Sequence, residues 1–268
     1  MAARLSHGRR AVRHTEAVSP GFLDLPRPHA FAHRGGAGEY PENTWRAFEH
    51  AVQLGYAYLE TDVHATADGV LVAFHDRTLG RVTDVSGRIS QLPHRDVAAA
   101  RIGGTDQIPV LADLLAAWPE VRFNIDIKDE PAVRPLAEVL AKTAAWDRVC
   151  LTSFSGQRLA AARRALPRPV CMATSPAGVA AVRFEIAPAA LARRWARRSV
   201  RCAQVPIRIA TESFLRHAHA AGLLVHVWTV NKRTEMTRLL DLGVDGIMTD
   251  KTVLLREVLM ARGQWHPR

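Results

Sequence analysis

The chain has 268 residues, 48% of them hydrophobic, enough to bury a sizeable core as one domain. Its formal charge of +10 and pI near 10.5 leave nucleic acid, an anionic membrane surface or a small acidic substrate open as partners. Only four of the 36 basic residues are lysines (Lys128, Lys142, Lys232 and Lys251), so the excess is arginine and says little about a partner by itself.

Residues 1–28 read as a basic, flexible arm with Arg4, Arg9, Arg10 and Arg13, ending near Pro28. Arg9-Arg10 is followed by Ala-Val-Arg-His-Thr-Glu and not by an apolar segment, which excludes a secretory or twin-arginine signal. No apolar run reaches the roughly eighteen residues of a membrane span. The richest is Ala221 to Val230, and the expectation is a soluble, cytoplasmic protein.

From residue 29 to about 260, short apolar runs alternate with helical segments, the pattern of a parallel α/β fold. Eight runs qualify as strands: Ala30 to His33, Tyr58 to Val63, Arg122 to Ile127, Val149 to Phe154, Pro169 to Ala173, Cys202 to Ile207, Val225 to Val230, and Gly246 to Asp250. That count and length predict a (β/α)8 TIM barrel. A further apolar run, Val70 to Phe74, follows the second strand after only Thr66-Ala67-Asp68-Gly69. A parallel crossover needs a dozen residues or more, and Asp-Gly favours a tight turn, so this run is predicted to fold back as an antiparallel β-hairpin at the C-terminal mouth, carrying His75 and Asp76. Residues 77–108 are long for a connection and read as a small insertion over that mouth.

Among the helices, Asn43 is the expected N-cap of a segment whose apolar face is Trp45, Phe48, Ala51 and Val52. Thr234 to Leu242 is a helix closed by Gly243, Ala187 to Arg201 reads as an arginine-rich helix or two, and residues 261–268 form a tail. Cys150, Cys171 and Cys202 stand far apart with no ligand-type spacing and read as small buried hydrophobes in a reducing compartment.

The chemistry-bearing residues fall at the C-terminal ends of the strands, where barrels build active sites: His33-Arg34, Glu60-x-Asp62, Asp126-x-Lys128 and Trp228-x-x-Asn231. Strand side chains two apart share a face, so Glu60 and Asp62 point together, as do Asp126 and Lys128. Three carboxylates gathered there repel one another unless a cation sits among them, and oxygen donors suit one hard divalent ion, Mg2+ or Ca2+. Pairing with Arg34 and Lys128 alone is the rival explanation. His33 and His75 bracket this cluster and are suited to proton transfer near neutrality, and Arg34 and Lys128 suit clamping a phosphate. His64 shares the parity of Glu60 and Asp62 and is a candidate for a ligand or an outer contact.

In order and spacing, His33-Arg34-Gly35-Gly36, Pro41-Glu42-Asn43-Thr44, Glu60-Thr61-Asp62-Val63, Asp68-Gly69, Phe74-His75-Asp76, Asn124-Ile125-Asp126-Ile127-Lys128, Trp228-Thr229-Val230-Asn231 and Asp245-Gly246-Ile247-Met248-Thr249-Asp250 resemble the glycerophosphodiester phosphodiesterase family, from about residue 31 to 250. The resemblance implies a divalent metal on Glu60, Asp62 and Asp126, His33 and His75 as the acid/base pair, and Arg34 and Lys128 on the phosphate. It makes Trp228 a wall of the substrate pocket. It also implies hydrolysis of glycerophosphodiesters to glycerol 3-phosphate and an alcohol, a small-molecule substrate. Two departures stand out: Asp126 replaces a glutamate frequent in the family, and Lys251 follows the closing Thr-Asp where proline is frequent.

Two alternatives accompany this reading. One is a lysophospholipase D-like phosphodiesterase using the same site on lipids, with Ile89, Leu92 and Ile102 of the insertion as its apolar contribution. The other is a non-catalytic protein holding anionic membrane or nucleic acid through the arginines at 4–13 and 193–201. Aromatic residues are scarce at 6%, so no nucleic acid is expected as partner, whereas peripheral contact with anionic membrane is compatible with the charge.

Overall fold

Parallel strands need crossovers that cover both faces of a sheet, and the eight apolar runs meet that need by closing on themselves. The computed structural model describes residues 21–186, 192–195 and 199–268. The barrel strands are β1 (His29–Ala32), β2 (Tyr58–Ala65), β6 (Arg122–Ile127), β7 (Val149–Thr152), β8 (Cys171–Ala173), β9 (Val200–Pro206), β10 (Leu224–Trp228) and β11 (Gly246–Thr249). Each pairs in parallel with its neighbours, and β1 meets both β2 and β11, which closes the cylinder.

The intervening β3 (Leu71–Ala73) runs antiparallel to β2, with Val63 opposite Ala73 and Ala65 opposite Leu71. Gly69 at φ +83 makes the reversal possible, a conformation that side chains disfavour. The predicted hairpin is therefore present, and β2 is buried along its whole length.

Helices α1 (Trp45–Gln53), α4 (Val133–Lys142), α5 (Gly156–Ala165), α6 (Pro176–Arg183), α7 (Glu212–Ala220), α8 (Arg233–Leu242) and α9 (Thr252–Ala261) follow strands and lay apolar faces on them. Helix α8 ends on Gly243 at φ +88, as expected. The cap of α1 differs from the prediction. It is Thr44, whose hydroxyl accepts from the Ala47 N–H at 3.2 Å. Asn43 instead sits at φ +56, donates from Nδ2 to Asp62 at 3.2 Å and accepts from Thr61 at 2.8 Å. A side chain committed to the site is not available to the helix.

The insertion has its own apolar centre, in which Leu79, Ile89, Val97, Ile102 and Ile108 pack on Val72 and Phe74 of the hairpin. It contains α2 (His94–Ala99) and a ribbon of β4 (Arg101–Ile102) and β5 (Asp106–Gln107), and α3 (Leu111–Ala117) leads from it to β6.

Of the arm expected over 1–28, residues 1–20 lie outside the described residues. Residues 21–28 pack beneath the barrel: Phe22 is 2% exposed, and its carbonyl accepts from the Tyr58 hydroxyl at 2.9 Å. At the other terminus, Trp265 packs on Tyr56 and the Arg268 N–H donates to the Gly55 carbonyl. The arginine-rich segment 187–201 is described only in part, and residues 192–195 are helical. No helix among the described residues is long and apolar enough to cross a membrane.

Candidate active site

A cavity of about 510 Å³ opens at the C-terminal mouth, lined by His33, Arg34, Glu60, Asp62, His75, Asp126, Lys128 and Trp228 among others. Seven of the eight residues singled out from strand-end position border this one space, Asn231 being the exception, and His75 of the hairpin joins them. Register explains the carboxylates: β2 pairs with β6 so that Asp62 stands opposite Asp126, with Glu60 opposite Asn124. Neighbours in register point the same way, so two strands deliver their acids to one face.

The three acids have unequal surroundings. Asp62 has an Oδ1 that is 2.8 Å from Lys128 Nζ, and its Oδ2 is 3.2 Å from Arg34 Nε and accepts from Asn43. Burial pushes its carboxyl up, but Lys128 and Arg34 outweigh that and hold it below the ordinary value. Asp126 accepts from Lys128 through Oδ2 at 2.6 Å, whereas its Oδ1 is buried with no hydrogen-bond partner among the described residues. Burial leaves its carboxyl above the ordinary value despite Lys128. Glu60 accepts the Arg34 backbone N–H at 3.0 Å; burial and then Asp62 push its pKa up to about 7. The cluster is thus short of positive charge on the side of Glu60 and Asp126 Oδ1. Lys128, expected on a phosphate, is an ion-pair partner of two of the acids.

His33 begins a single 3-10 turn, His33–Gly35, directly after β1. Gly35, at φ +82, permits this turn to press on α1, since a Cβ there would lie 2.9 Å from Ala47 Cβ and Phe48 N. His33 Nδ1 donates to Asp250 Oδ1 at 2.6 Å, and its Nε2 lies 3.8 Å from Glu60. Burial pulls its pKa down, but Glu60 and the Asp250 bond outweigh that and raise it. Asp250 is itself held by Asn231 Nδ2 at 2.6 Å. His75 has a matching carboxylate, donating from Nδ1 to Asp76 Oδ1 at 2.6 Å. Asp76 is bound by Arg81 of the insertion, whose hydrogen bond, followed by that of His75, lowers its pKa to about 2 against the effect of burial. Arg81 also pairs with Glu42, which receives Arg34 Nη1 at 3.1 Å.

His64 lies beneath this layer, 2.8 Å from Asp129 through Nδ1 and 3.1 Å from the His75 carbonyl oxygen through Nε2. It supports the backbone of His75 and does not line the main cavity. Sequence reasoning gave no role to Asp250, Arg81 or Glu42. Strand-end position could have flagged Asp250 and the Pro41-Glu42-Asn43-Thr44 motif Glu42, but nothing local marks Arg81, which reaches Glu42 from the insertion.

One side of the cavity is apolar, with Arg183 and Arg208 also on its lining. Trp228 meets Phe154 edge-on at a centroid distance of 5.7 Å, and Pro176, Val179, Phe184 and Ile209 continue that side. Phe154 and Phe184 are 66% and 72% exposed.

Residues 33–254 match the model of the glycerophosphoryl diester phosphodiesterase family. A Mycobacterium tuberculosis protein named "Probable glycerophosphodiester phosphodiesterase 2" is 43% identical over 88% of this chain and 92% of its own length. A human protein named lysophospholipase D GDPD1 is 29% identical over 85% of each. Among solved structures, a chain from Agrobacterium tumefaciens superposes with a TM-score of 0.75 at 26% identity, covering 88% of this chain and 99% of that one. An Oleispira antarctica phosphodiesterase, solved with sn-glycerol-3-phosphate, gives 0.75 at 24%, covering 87% and 97%.

Proposed function

Because the chain belongs to the glycerophosphoryl diester phosphodiesterase family and is a phosphoric diester hydrolase, we propose that it cleaves glycerophosphodiesters to glycerol 3-phosphate and an alcohol, with a divalent cation on Glu60, Asp62 and Asp126 and with His33 and His75 exchanging protons. The observation that carries the proposal is the orphaned Asp126 Oδ1 in the same cavity as a Glu60 carboxyl raised to about 7. Buried acids in that state fit a hard cation. A bound Mg2+ or Ca2+ would supply neutralising charge to the non-bridging phosphate oxygens.

Phosphodiester hydrolysis also needs a proton removed from the attacking oxygen and one given to the leaving alkoxide. Each histidine commits Nδ1 to a carboxylate, His33 to Asp250 and His75 to Asp76, which leaves Nε2 of each for the reacting oxygens. The carboxylates fix the ring orientation and favour the imidazolium during the transfer. Arg34 is held by Asp62 and Glu42 and adds fixed positive charge beside the phosphate. Lys128 neutralises Asp62 and Asp126, so its influence on the phosphate is through the field of the cluster.

The apolar side formed by the exposed Phe154 and Phe184 with the half-buried Ile209 supports a second reading, hydrolysis of lysophospholipids with the acyl chain laid along that wall. A human relative is named for that activity. Release of glycerol 3-phosphate, or of lysophosphatidic acid, across a panel of glycerophosphodiesters and lysophospholipids with each metal in turn tests both. Preference for the water-soluble diesters supports the first reading and preference for lysophospholipids the second. Failure to cleave any member with any metal would overturn both.

A further inference from the structure

Three cysteines that are 21 to 52 residues apart in sequence meet inside the lower half of the barrel. Cys150 on β7, Cys171 on β8 and Cys202 on β9 come from three successive strands, with Cys150 opposite Cys171 and Ala173 opposite Cys202 in register. Their sulfurs all lie within 4.8 Å of one another, and Cys150 Sγ and Cys202 Sγ are 3.8 Å apart. A zinc–sulfur bond of about 2.3 Å at a tetrahedral angle sets sulfurs about 3.8 Å apart. One edge of the triangle has that length already. Cys150 and Cys202 are fully buried among Phe22, Phe31, Tyr58 and Met248.

A second observation comes from His226 on β10, which is fully buried and stands against Cys202. His29 Nε2 lies 3.1 Å from the Leu25 carbonyl, which only accepts, so that nitrogen carries hydrogen. His29 Nδ1 lies 3.3 Å from His226 Nε2, a contact that commits Nε2 of His226 to the His29 ring. His226 Nδ1 is buried without a hydrogen-bond partner among the described residues. An unpartnered imidazole nitrogen beside a thiol is costly in an apolar interior and suits the neighbourhood of a soft metal ion.

We propose that Cys150, Cys171 and Cys202 form a structural site for one thiophilic ion, Zn2+ or Cu+, bordered by His226 on the side of Cys202 and separate from the oxygen-lined site at the mouth. Three clustered thiolates are a donor set that such soft ions favour. Binding releases the thiol protons to solvent and changes no oxidation state.

The full chain, purified without chelator or added metal, is expected to carry about one equivalent of zinc or copper by mass spectrometry of the elements. Chain refolded with Co2+ in place of zinc is expected to show the intense near-ultraviolet sulfur-to-cobalt band. That band reports thiolate ligation only. It should survive Asp126→Asn, which alters the site at the mouth, and be lost in Cys202→Ala or the milder Cys171→Ala. Purified protein without either metal, together with refolded protein that takes up cobalt without a sulfur band, would overturn the proposal whether or not the cysteine variants fold. A mass 2 Da below that of the three-thiol chain, marking a disulfide, would do the same.

Discussion

His33 Nδ1 and Asp250 Oδ1 lie 2.6 Å apart although 217 residues separate them in the chain. The contact exists because β1 and β11 are the two strands that close the barrel, with Ala32 opposite Thr249. Closure thus sets the orientation of a candidate catalytic ring. Asp250→Asn is expected to lower kcat by on the order of 10- to 100-fold with KM nearly unchanged, because the ring loses its orienting carboxylate and keeps its place. Removing the ring itself, in His33→Ala or His75→Ala, is expected to cost between about 10² and 10⁴-fold in turnover with the fold retained. Steady-state kinetics and circular dichroism measure both; full activity in either histidine variant would remove that residue from the proton-transfer role.

Exhaustive dialysis against a chelator is expected to silence the enzyme, and Mg2+ or Ca2+ to restore it. Asp126→Asn should raise the metal concentration needed for half-maximal recovery at least about tenfold, since the amide keeps the shape but loses the charge. Activity that persists in chelated protein without added metal would count against the Glu60, Asp62 and Asp126 assignment.

Trp228 and Phe154 form an edge-on pair on the apolar side of the cavity. Such pairs contribute about 0.5–1.5 kcal/mol beyond burial, so Phe154→Ala is expected to raise KM by a few-fold to about tenfold for any substrate that rests on it. If lysophospholipids are the substrates, the rise should grow with acyl-chain length. An unchanged KM for every substrate would place the wall outside substrate contact.

Asp245 accepts the Val225 N–H at 2.8 Å and His219 Nε2 at 2.7 Å, and pairs with Arg27 at 2.6 Å. Burial raises its carboxyl, but these partners outweigh it and hold the pKa below the ordinary 3.8. The folded state therefore binds fewer protons than the unfolded one between the two values, and stability rises with pH there. The contribution is complete above the unfolded value and is lost as pH falls through the folded one. Asp245→Asn is expected to cost about 1.5–3 kcal/mol at pH 7, with the gap closing below about pH 4. Urea midpoints of the two proteins at both pH values measure it, and a gap that widens on acidification would reverse the sign assigned here.

Much of the site was legible before folding because its signals are local. Side-chain alternation aligned Glu60 with Asp62, the four-residue Thr66 to Gly69 link forced a hairpin, and strand-end position selected His33, Asp126 and Lys128. Local patterns also misled at Asn43, a good cap by type whose side chain is drawn instead to Asp62.

What the sequence determined by itself was the periodicity of the strands, their number, and the residues at their ends, since each depends on a few consecutive positions. The tertiary structure decided which of those residues meet: Asp250 on His33 through barrel closure, Lys128 between Asp62 and Asp126 through the register of β2 on β6, Arg81 on Asp76 and Glu42 through the docked insertion, and three distant cysteines in one layer. These contacts are set by strand order, register and the closure of the sheet, which emerge only when long-range packing chooses one arrangement of the whole chain.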